Sequence, residues 1–397
     1  MSDAIGILVL NAGSSSLKFS LIQWPQQQEI IKGLAERLGE AESTLRLQAP
    51  ETLSLPLPSG ATHEAALQAL QPVLERYTGQ FSLTAIAHRV VHGGEHFKTT
   101  ARLSADMLQT LEKLSHLAPL HNPANLAGIR AATTAWSGLP QYAVFDTAFH
   151  QGMPASAYLY ALPQQLYREH GIRRYGFHGP SHAYVSARLR ELMPGNASRR
   201  VITAHLGNGC SMAAILAGRS VDTSMGMTPL EGLVMGTRSG DLDPGVLLFL
   251  LEQCQYSPAQ LNQLLNKKSG LLGISELSND VRSLLQAKAE GHAGARLALD
   301  IFTYRAAKAA AALAVPLGGL DALVFTGGIG ENAGPIRQEI VAQLSFLGLQ
   351  LDPERNASLQ GQEGCISLSA PSVWVIPTQE ERMMAREAYF CMKAEKP

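Results

Sequence analysis

One pattern occurs twice in this chain, and it limits the folds available. Residues Ile5–Leu10 form an apolar run, the tip Asn11-Ala12-Gly13-Ser14-Ser15-Ser16 follows, and Leu17–Ile22 is apolar again. Val201–Ala204 leads in the same way through His205-Leu206-Gly207-Asn208-Gly209-Cys210-Ser211 into Met212–Leu216. Each stretch reads as two strands joined by a hairpin tip of Gly, Ser and Asn. A tip with so few side chains lets backbone N–H groups converge on an anion, as phosphate-binding nests do. The recurrence predicts a duplicated domain, each copy opening on a phosphate-facing turn, and 397 residues suffice for two cores.

The second copy is followed by Thr237-Arg238-Ser239-Gly240-Asp241-Leu242-Asp243-Pro244, an arginine among small residues with two acids behind it. A phosphate cradle, a guanidinium and carboxylates together point to phosphoryl transfer. Other segments fit that chemistry, although the residues alone leave blander readings open. Asn11 suits a metal or a phosphate, or simply an Asx-turn, and Lys18 suits a phosphate or a solvated strand edge. Arg89 lies in His88-Arg89-Val90-Val91-His92-Gly93-Gly94 at a strand end, where α/β folds place ligand groups, and it reads equally as a surface arginine. Asp146 follows the short strand Tyr142–Phe145 and serves either a reacting group or a turn. His121 sits in a loop set off by Pro119 and Pro123, and His178 stands between Gly176 and Gly179 before a helix over residues 180–193. Ten of the twelve histidines lie between His88 and His205, which points to an active cleft among these segments. His88, His92 and His96 are four apart, yet Gly93-Gly94 breaks any helix that would align them on a metal.

Further on, Asp280 and Arg282 read as nucleotide contacts or as a helix cap. Leu320–Phe325 is a strand feeding the glycine turn Thr326-Gly327-Gly328-Ile329-Gly330-Glu331-Asn332, with helix from Pro335; this is neither a P-loop nor a convincing dinucleotide fingerprint. Glu380 and Glu381 stand between the strand Val373–Pro377 and a last helix expected over Arg382–Lys393, where they suit Mg²⁺ or complement a helix dipole from its first turn. Amphipathic helices are expected over Glu64–Tyr77 and Leu103–Leu117, a further helix over Ala124–Ala135, and an Ala-rich helix over Gly294–Val315. The polar region Gln26–Thr62 reads as peripheral strands.

Composition narrows the function classes. A net charge of −1 argues against general binding to nucleic acid or membrane surfaces. No apolar run reaches the ~18 residues of a membrane span, and Met1-Ser2-Asp3 lacks a basic leader, so a cytoplasmic protein is expected. The scattered Cys210, Cys254, Cys365 and Cys391 show no zinc spacing and read as reduced thiols.

The motifs stand in one order: NxGSSSxK, HRxVHGG, LHNP, FDTAFH, RYGFHG, HLGNGxS, MGTRSGDLDP, FTGGIGEN and PTxEE. Together they resemble the acetate kinase family, within the superfamily of acetate and sugar kinases, heat-shock chaperones and actin. The resemblance covers nearly the whole chain from Ile5. It implies an α/β protein of two duplicated actin-like (ribonuclease-H-like) domains, each a βββαβαβα core, with an interdomain active-site cleft. The implied domains are residues 1–150 with a returning helix in 385–397, and residues 151–384. The implied reaction is reversible transfer from ATP to acetate, giving ADP and acetyl phosphate, with Mg²⁺ (or Mn²⁺), in a homodimer. Asn11 and Glu380 then correspond to the metal-positioning pair, with Glu381 as the alternative acid. Arg89 corresponds to the arginine on the substrate carboxylate, Arg238 and His178 to the transition-state stabilisers, and Asp146 and His121 to further active-site groups. Nucleotide contacts correspond to Lys18, to His205, Leu206, Gly207, Asn208 and Gly209, to Asp280, Val281 and Arg282, and to Gly328, Ile329, Gly330, Glu331 and Asn332. Val91, Leu120, Phe177 and Pro229 correspond to the acyl pocket, whose size favours acetate over propionate. A propionate kinase, or a non-catalytic ATP-driven switch of the same superfamily, are the alternatives.

Overall fold

The computed structural model describes residues 4–77, 82–119 and 121–395. These divide into two compact units, residues 1–149 with 379–397, and residues 150–378. The second junction falls six residues before the 384/385 boundary expected from the sequence, because the helix Glu380–Ala394 belongs as a whole to the first unit.

The first unit is built on an eight-stranded sheet. Its strands are β1 (Ile5–Ala12), β2 (Ser16–Trp24), β3 (Gln28–Glu36), β4 (Thr44–Ala49), β5 (Leu53–Pro56), β6 (Ser82–Val90), β7 (Ala101–Arg102) and β8 (Gln141–Phe145). They lie in the order β5-β4-β3-β2-β1-β6-β8-β7. β1 pairs antiparallel with β2 and parallel with β6, and β6 pairs parallel with β8. Because β1 is covered on both faces, its apolar run is nearly continuous rather than alternating. Leu8 and Leu10 face helices His63–Tyr77 and Asn122–Ala135 in one core. Ile7 and Val9 join Ala85, Ala87, Tyr142 and Val144 under Met384, Ala385, Ala388 and Met392 of the C-terminal helix.

The second unit carries six strands: β9 (Arg200–Leu206), β10 (Cys210–Leu216), β11 (Arg219–Thr223), β12 (Ala322–Thr326), β13 (Gly364–Cys365) and β14 (Ser372–Val375). Their order is β11-β10-β9-β12-β14-β13. Five strands of each sheet share one topology: β3-β2-β1-β6-β8 in the first, β11-β10-β9-β12-β14 in the second, antiparallel then parallel. The two hairpins with Gly-rich tips thus begin two copies of one fold. Helix Ala293–Ala314 packs on β9 and β10 through small residues, among them Ala298, Ala306 and Ala310.

Two local expectations differ in detail. The segment after β12 is no turn: helix Gly327–Asn332 begins at once, and its entry residue must be glycine, because Gly327 takes φ +76° and lies against the Leu206 carbonyl, where a Cβ would come within 2.8 Å. The C-terminal helix begins at Glu380, two residues before the expected Arg382, so both acids occupy its first turn.

Candidate active site

In the first unit, three polar residues share one face of the sheet at the C-terminal ends of parallel strands. Strand periodicity puts them there: Ile7-Val9-Asn11, Ala85-Ala87-Arg89 and Tyr142-Val144-Asp146 all continue the face covered by the C-terminal helix. That helix brings Glu380 and Glu381 in its first turn. Asp146 extends the ladder by one bond, its N–H donating to the Val90 carbonyl at 3.1 Å. Arg89 grips Asp146 bidentately, Nε to Oδ1 at 2.8 Å and Nη2 to Oδ2 at 2.6 Å, with the Asp146 side chain only 2% exposed. Burial alone would lower the Arg89 pKa, but Asp146 outweighs it, with Glu380 and Glu381 adding, and the guanidinium stays charged. The Arg89 atom left outside this fork is Nη1, which makes no hydrogen bond among the described residues. Burial pushes the Glu380 carboxyl up; Arg89 opposes the rise, Asp146 and Glu381 add to it, and Lys18 opposes it. Lys18 is exposed directly across the hairpin from Asn11.

An amide oxygen and partly desolvated carboxylates make a hard donor set of the kind Mg²⁺ takes. Among the described residues no three His, Cys, Asp or Glu gather as a metal cage. Mg²⁺ commonly needs only one or two carboxylates, with phosphate and water completing its shell, so Asn11 and Glu380 fit the ion.

The loop after β6 is held by two residues to which the sequence reading gave no role, Asn122 of the LHNP motif and Asn125. Asn125 accepts from the Val91 N–H at 3.0 Å and donates to the Ala12 carbonyl at 2.8 Å. Asn122 accepts from the His92 N–H at 3.1 Å and donates to the His92 carbonyl at 3.0 Å. Both lie on helix Asn122–Ala135, whose N-cap is His121. The LHNP motif therefore carries scaffold as well as a candidate imidazole. Leu120 lies outside the described residues. Buried His88 bonds Gln141 at 2.6 Å, and the His92 Nδ1 accepts from the Gly94 N–H at 3.0 Å.

The second unit gathers the other candidates at the β9–β10 tip. An ideal Cβ on Gly209 would stand 3.5 Å from Arg238 Nη2 and 3.5 Å from His178 Nε2, so both nitrogens converge on the space that glycine leaves. Arg238 is anchored by Nη1, which donates to the Pro229 carbonyl at 2.8 Å. Pro229 thus contributes its backbone. His178 adopts φ +57°, a left-handed conformation rare for a residue with a Cβ, immediately before helix Gly179–Leu192. Buried His150 steadies it, its Nε2–H donating to the Phe177 carbonyl at 3.0 Å. Phe177 itself is buried. The His178 ring stacks on His205 with centroids 4.3 Å apart. Within the tip, Gly207 N–H donates to the Gly209 carbonyl at 3.1 Å, and Asn208 accepts from Asn279 at 3.1 Å.

Other nucleotide candidates have structural duties. Asp280 caps helix Val281–Ala289 by accepting from the Arg282 N–H, and the Arg282 side chain is exposed. Glu331 Oε1 accepts from the N–H groups of Gly327 at 2.8 Å and Thr378 at 3.0 Å, tying the end of β12 to the chain beyond β14. Gly328 faces open space, and Asn332 donates to the Gly328 carbonyl at 2.9 Å. Helix Gly327–Asn332 is stapled from behind by Arg337, which is wholly buried and donates to the carbonyls of Gly330, Glu331, Asn356 and Leu359. Burial lowers its pKa to about 10. No sequence motif marked Arg337.

A duplicated pair of α/β units, with an arginine and an imidazole converging on a hairpin tip bracketed by Gly207 and Gly209, suits a phosphoryl-transferring enzyme. The sequence matches the model of the Acetokinase family over residues 6–386. It is 52% identical to the acetate kinase of Ectopseudomonas mendocina over 96% of this chain and 98% of that protein. Among solved structures, Porphyromonas gingivalis acetate kinase matches with a TM-score of 0.91 and 43% identity, covering 98% of this chain and 99% of that one. A propionate kinase from Francisella tularensis also scores 0.91 at 43% identity, covering 96% and 98%. The chain belongs to the acetokinase family.

Proposed function

We propose that this enzyme transfers the γ-phosphoryl group of ATP to acetate, reversibly, giving acetyl phosphate and ADP. The observation that carries this reading is the convergence of Arg238 Nη2 and His178 Nε2 on Gly209. A carboxylate is already deprotonated at neutral pH, so the acceptor needs no strong general base. The barrier lies in bringing one anion onto another and spreading charge over three equatorial oxygens. Fixed donors aimed at those oxygens lower it, each commonly by roughly 3 kcal/mol or more. Arg238 and His178 serve as those donors, and attack is direct and in line, without a phosphoenzyme.

The first unit supplies the acceptor and metal groups. Arg89 Nη1 binds the acetate carboxylate while Asp146 holds the other edge of the guanidinium. Asn11 and Glu380 hold Mg²⁺ (or Mn²⁺), which when bound neutralises phosphate oxygens. Lys18 lies near the phosphates. The β9–β10 tip, Asp280–Arg282 and Gly328–Asn332 contact the nucleotide, and Val91, Leu120, Phe177 and Pro229 limit the acyl chain. His121 is a further imidazole of the site. Dependence on ATP and acetyl phosphate supports a cytoplasmic location.

Acetate rather than propionate follows from the curated relatives, since the solved acetate and propionate kinases match equally well. One methylene is worth only ~1–3 kcal/mol in an apolar pocket, so propionate is expected as a slower substrate. Hydroxamate assay of acyl phosphate formation from acetate, propionate and butyrate should give the highest kcat/KM with acetate. A higher value for propionate would reassign the acceptor, and no acyl phosphate from any of them would remove the reading.

The homodimer is part of the same proposal. Helix Pro244–Glu252 has no buried residue, yet it presents Val246, Leu248 and Phe249 at 42%, 57% and 58% exposure. An apolar patch of this kind marks an interaction surface.

A further inference from the structure

We propose that Thr203, His182 and Ser211 form a one-way hydrogen-bonded chain that fixes His178 as its Nε2–H tautomer, which makes Ser211 and Thr203 positioning residues. The inference rests on the reading above, in which His178 donates to the transferring phosphoryl group.

The chain has three links. Thr203 Oγ1 lies 2.7 Å from His182 Nδ1, His182 Nε2 lies 2.8 Å from Ser211 Oγ, and Ser211 Oγ lies 2.8 Å from His178 Nδ1. Thr203, His182 and Ser211 have no exposed surface. Strand pairing puts the hydroxyls there: Ser211 lies opposite His205 in the β9–β10 ladder, so it shares a sheet face with His205 and Thr203. Helix Gly179–Leu192 lays His182 on that face.

Two directions of donation would satisfy the two rings. In one, Thr203 donates to His182 Nδ1, His182 Nε2–H donates to Ser211, and Ser211 donates to His178 Nδ1. His178 then carries its proton on Nε2, the atom near Gly209. In the reverse direction His178 Nδ1–H donates to Ser211, Ser211 to His182 Nε2, and His182 Nδ1–H to Thr203. The Thr203 hydroxyl proton is then left without an acceptor among the described residues, at a position that water does not reach. Buried hydroxyls rarely leave their proton unpaired, so the first direction is selected. Burial holds the His182 pKa well below its ordinary value, with His150 and His205 adding, so that ring stays neutral as the chain requires. Thr203 thus sets the direction, Ser211 transmits it, and His178 presents a donor at Nε2 rather than a lone pair. A lone pair there would repel phosphoryl oxygens.

The test is ¹⁵N NMR of the full chain labelled at histidine, with the His178 signals assigned by their loss in His178→Gln. The expected native pattern is an unprotonated Nδ1 and a protonated Nε2. Ser211→Ala and Thr203→Val should each move His178 towards mixed tautomers and lower kcat by about tenfold, with KM for ATP within twofold of the native value. Thr203→Ser, which keeps the hydroxyl, should retain the native pattern. A native His178 protonated at Nδ1, or a pattern unchanged in both Ser211→Ala and Thr203→Val, would overturn the proposal. Full activity in His178→Gln would instead remove the catalytic reading on which it rests, whatever the tautomer.

Discussion

Arg238 works at both edges of one guanidinium: Nη1 holds the Pro229 carbonyl while Nη2 faces Gly209. An ammonium is a single point charge and cannot do both. Arg238→Lys should therefore lower kcat by about a hundredfold or more with little change in KM for ATP, as steady-state kinetics would read. Near-native kcat would take Arg238 out of the site. Glu380 carries a pH signature. Burial raises its native pKa above the ordinary 4.5, so the folded state binds a proton more readily than the unfolded chain. Ionising Glu380 thus costs folding free energy above the raised pKa, and the cost is absent below 4.5. In metal-free buffer, Glu380→Gln should raise Tm at pH 8, and the gain should shrink as pH falls through the raised pKa. A gain that does not vary with pH would contradict this origin. Both residues were legible as candidates, since charged groups at strand ends and beside glycines stand out in a sequence. The partners that fix them were not: a carbonyl at Pro229, or Thr203 in an apolar run, carries no local signal.

Element by element, the strands followed from apolar runs and Gly-rich tips, and both hairpins lie where the repeat puts them. Period-two alternation even carried Asn11, Arg89 and Asp146 to one face. Less legible was the way one helix supports another. No motif marks Arg337 in the sequence, yet it closes the C-terminal turn of Gly327–Asn332 and accepts burial without a carboxylate partner among the described residues. Its compensation is carbonyl oxygens near helix ends, where the dipole is negative. Arg337→Met should cost about 3 kcal/mol of stability by leaving those acceptors unpaired, as denaturant titration would show. A loss below about 0.5 kcal/mol, the range of an ordinary surface change, would mean that the staple contributes nothing. Asn122 and Asn125 belong to the same class, because each binds chain that is distant in sequence.

For the molecule as a whole, the duplication is visible as five strands repeated in one order, while β4, β5, β7 and β13 are additions. In the proposed reaction the units divide the work, with the acceptor- and metal-binding candidates on the first and the hydrogen-bond donors to the phosphoryl group on the second. The exposed apolar helix Pro244–Glu252 belongs to this scale. The 42.6 kDa chain should sediment as a dimer, and Leu248→Glu with Phe249→Glu should sediment as a monomer. A native monomer, or an unchanged dimer in the variant, would place the interface elsewhere or remove it. The account turns on fixed hydrogen-bond donors around the group in flight, and a crystal structure with Mg²⁺, ADP, aluminium fluoride and acetate would test that most directly. Arg238 Nη2 and His178 Nε2 should both lie about 3 Å from fluoride atoms of the planar phosphoryl mimic. If both nitrogens point away from it, the central claim is wrong.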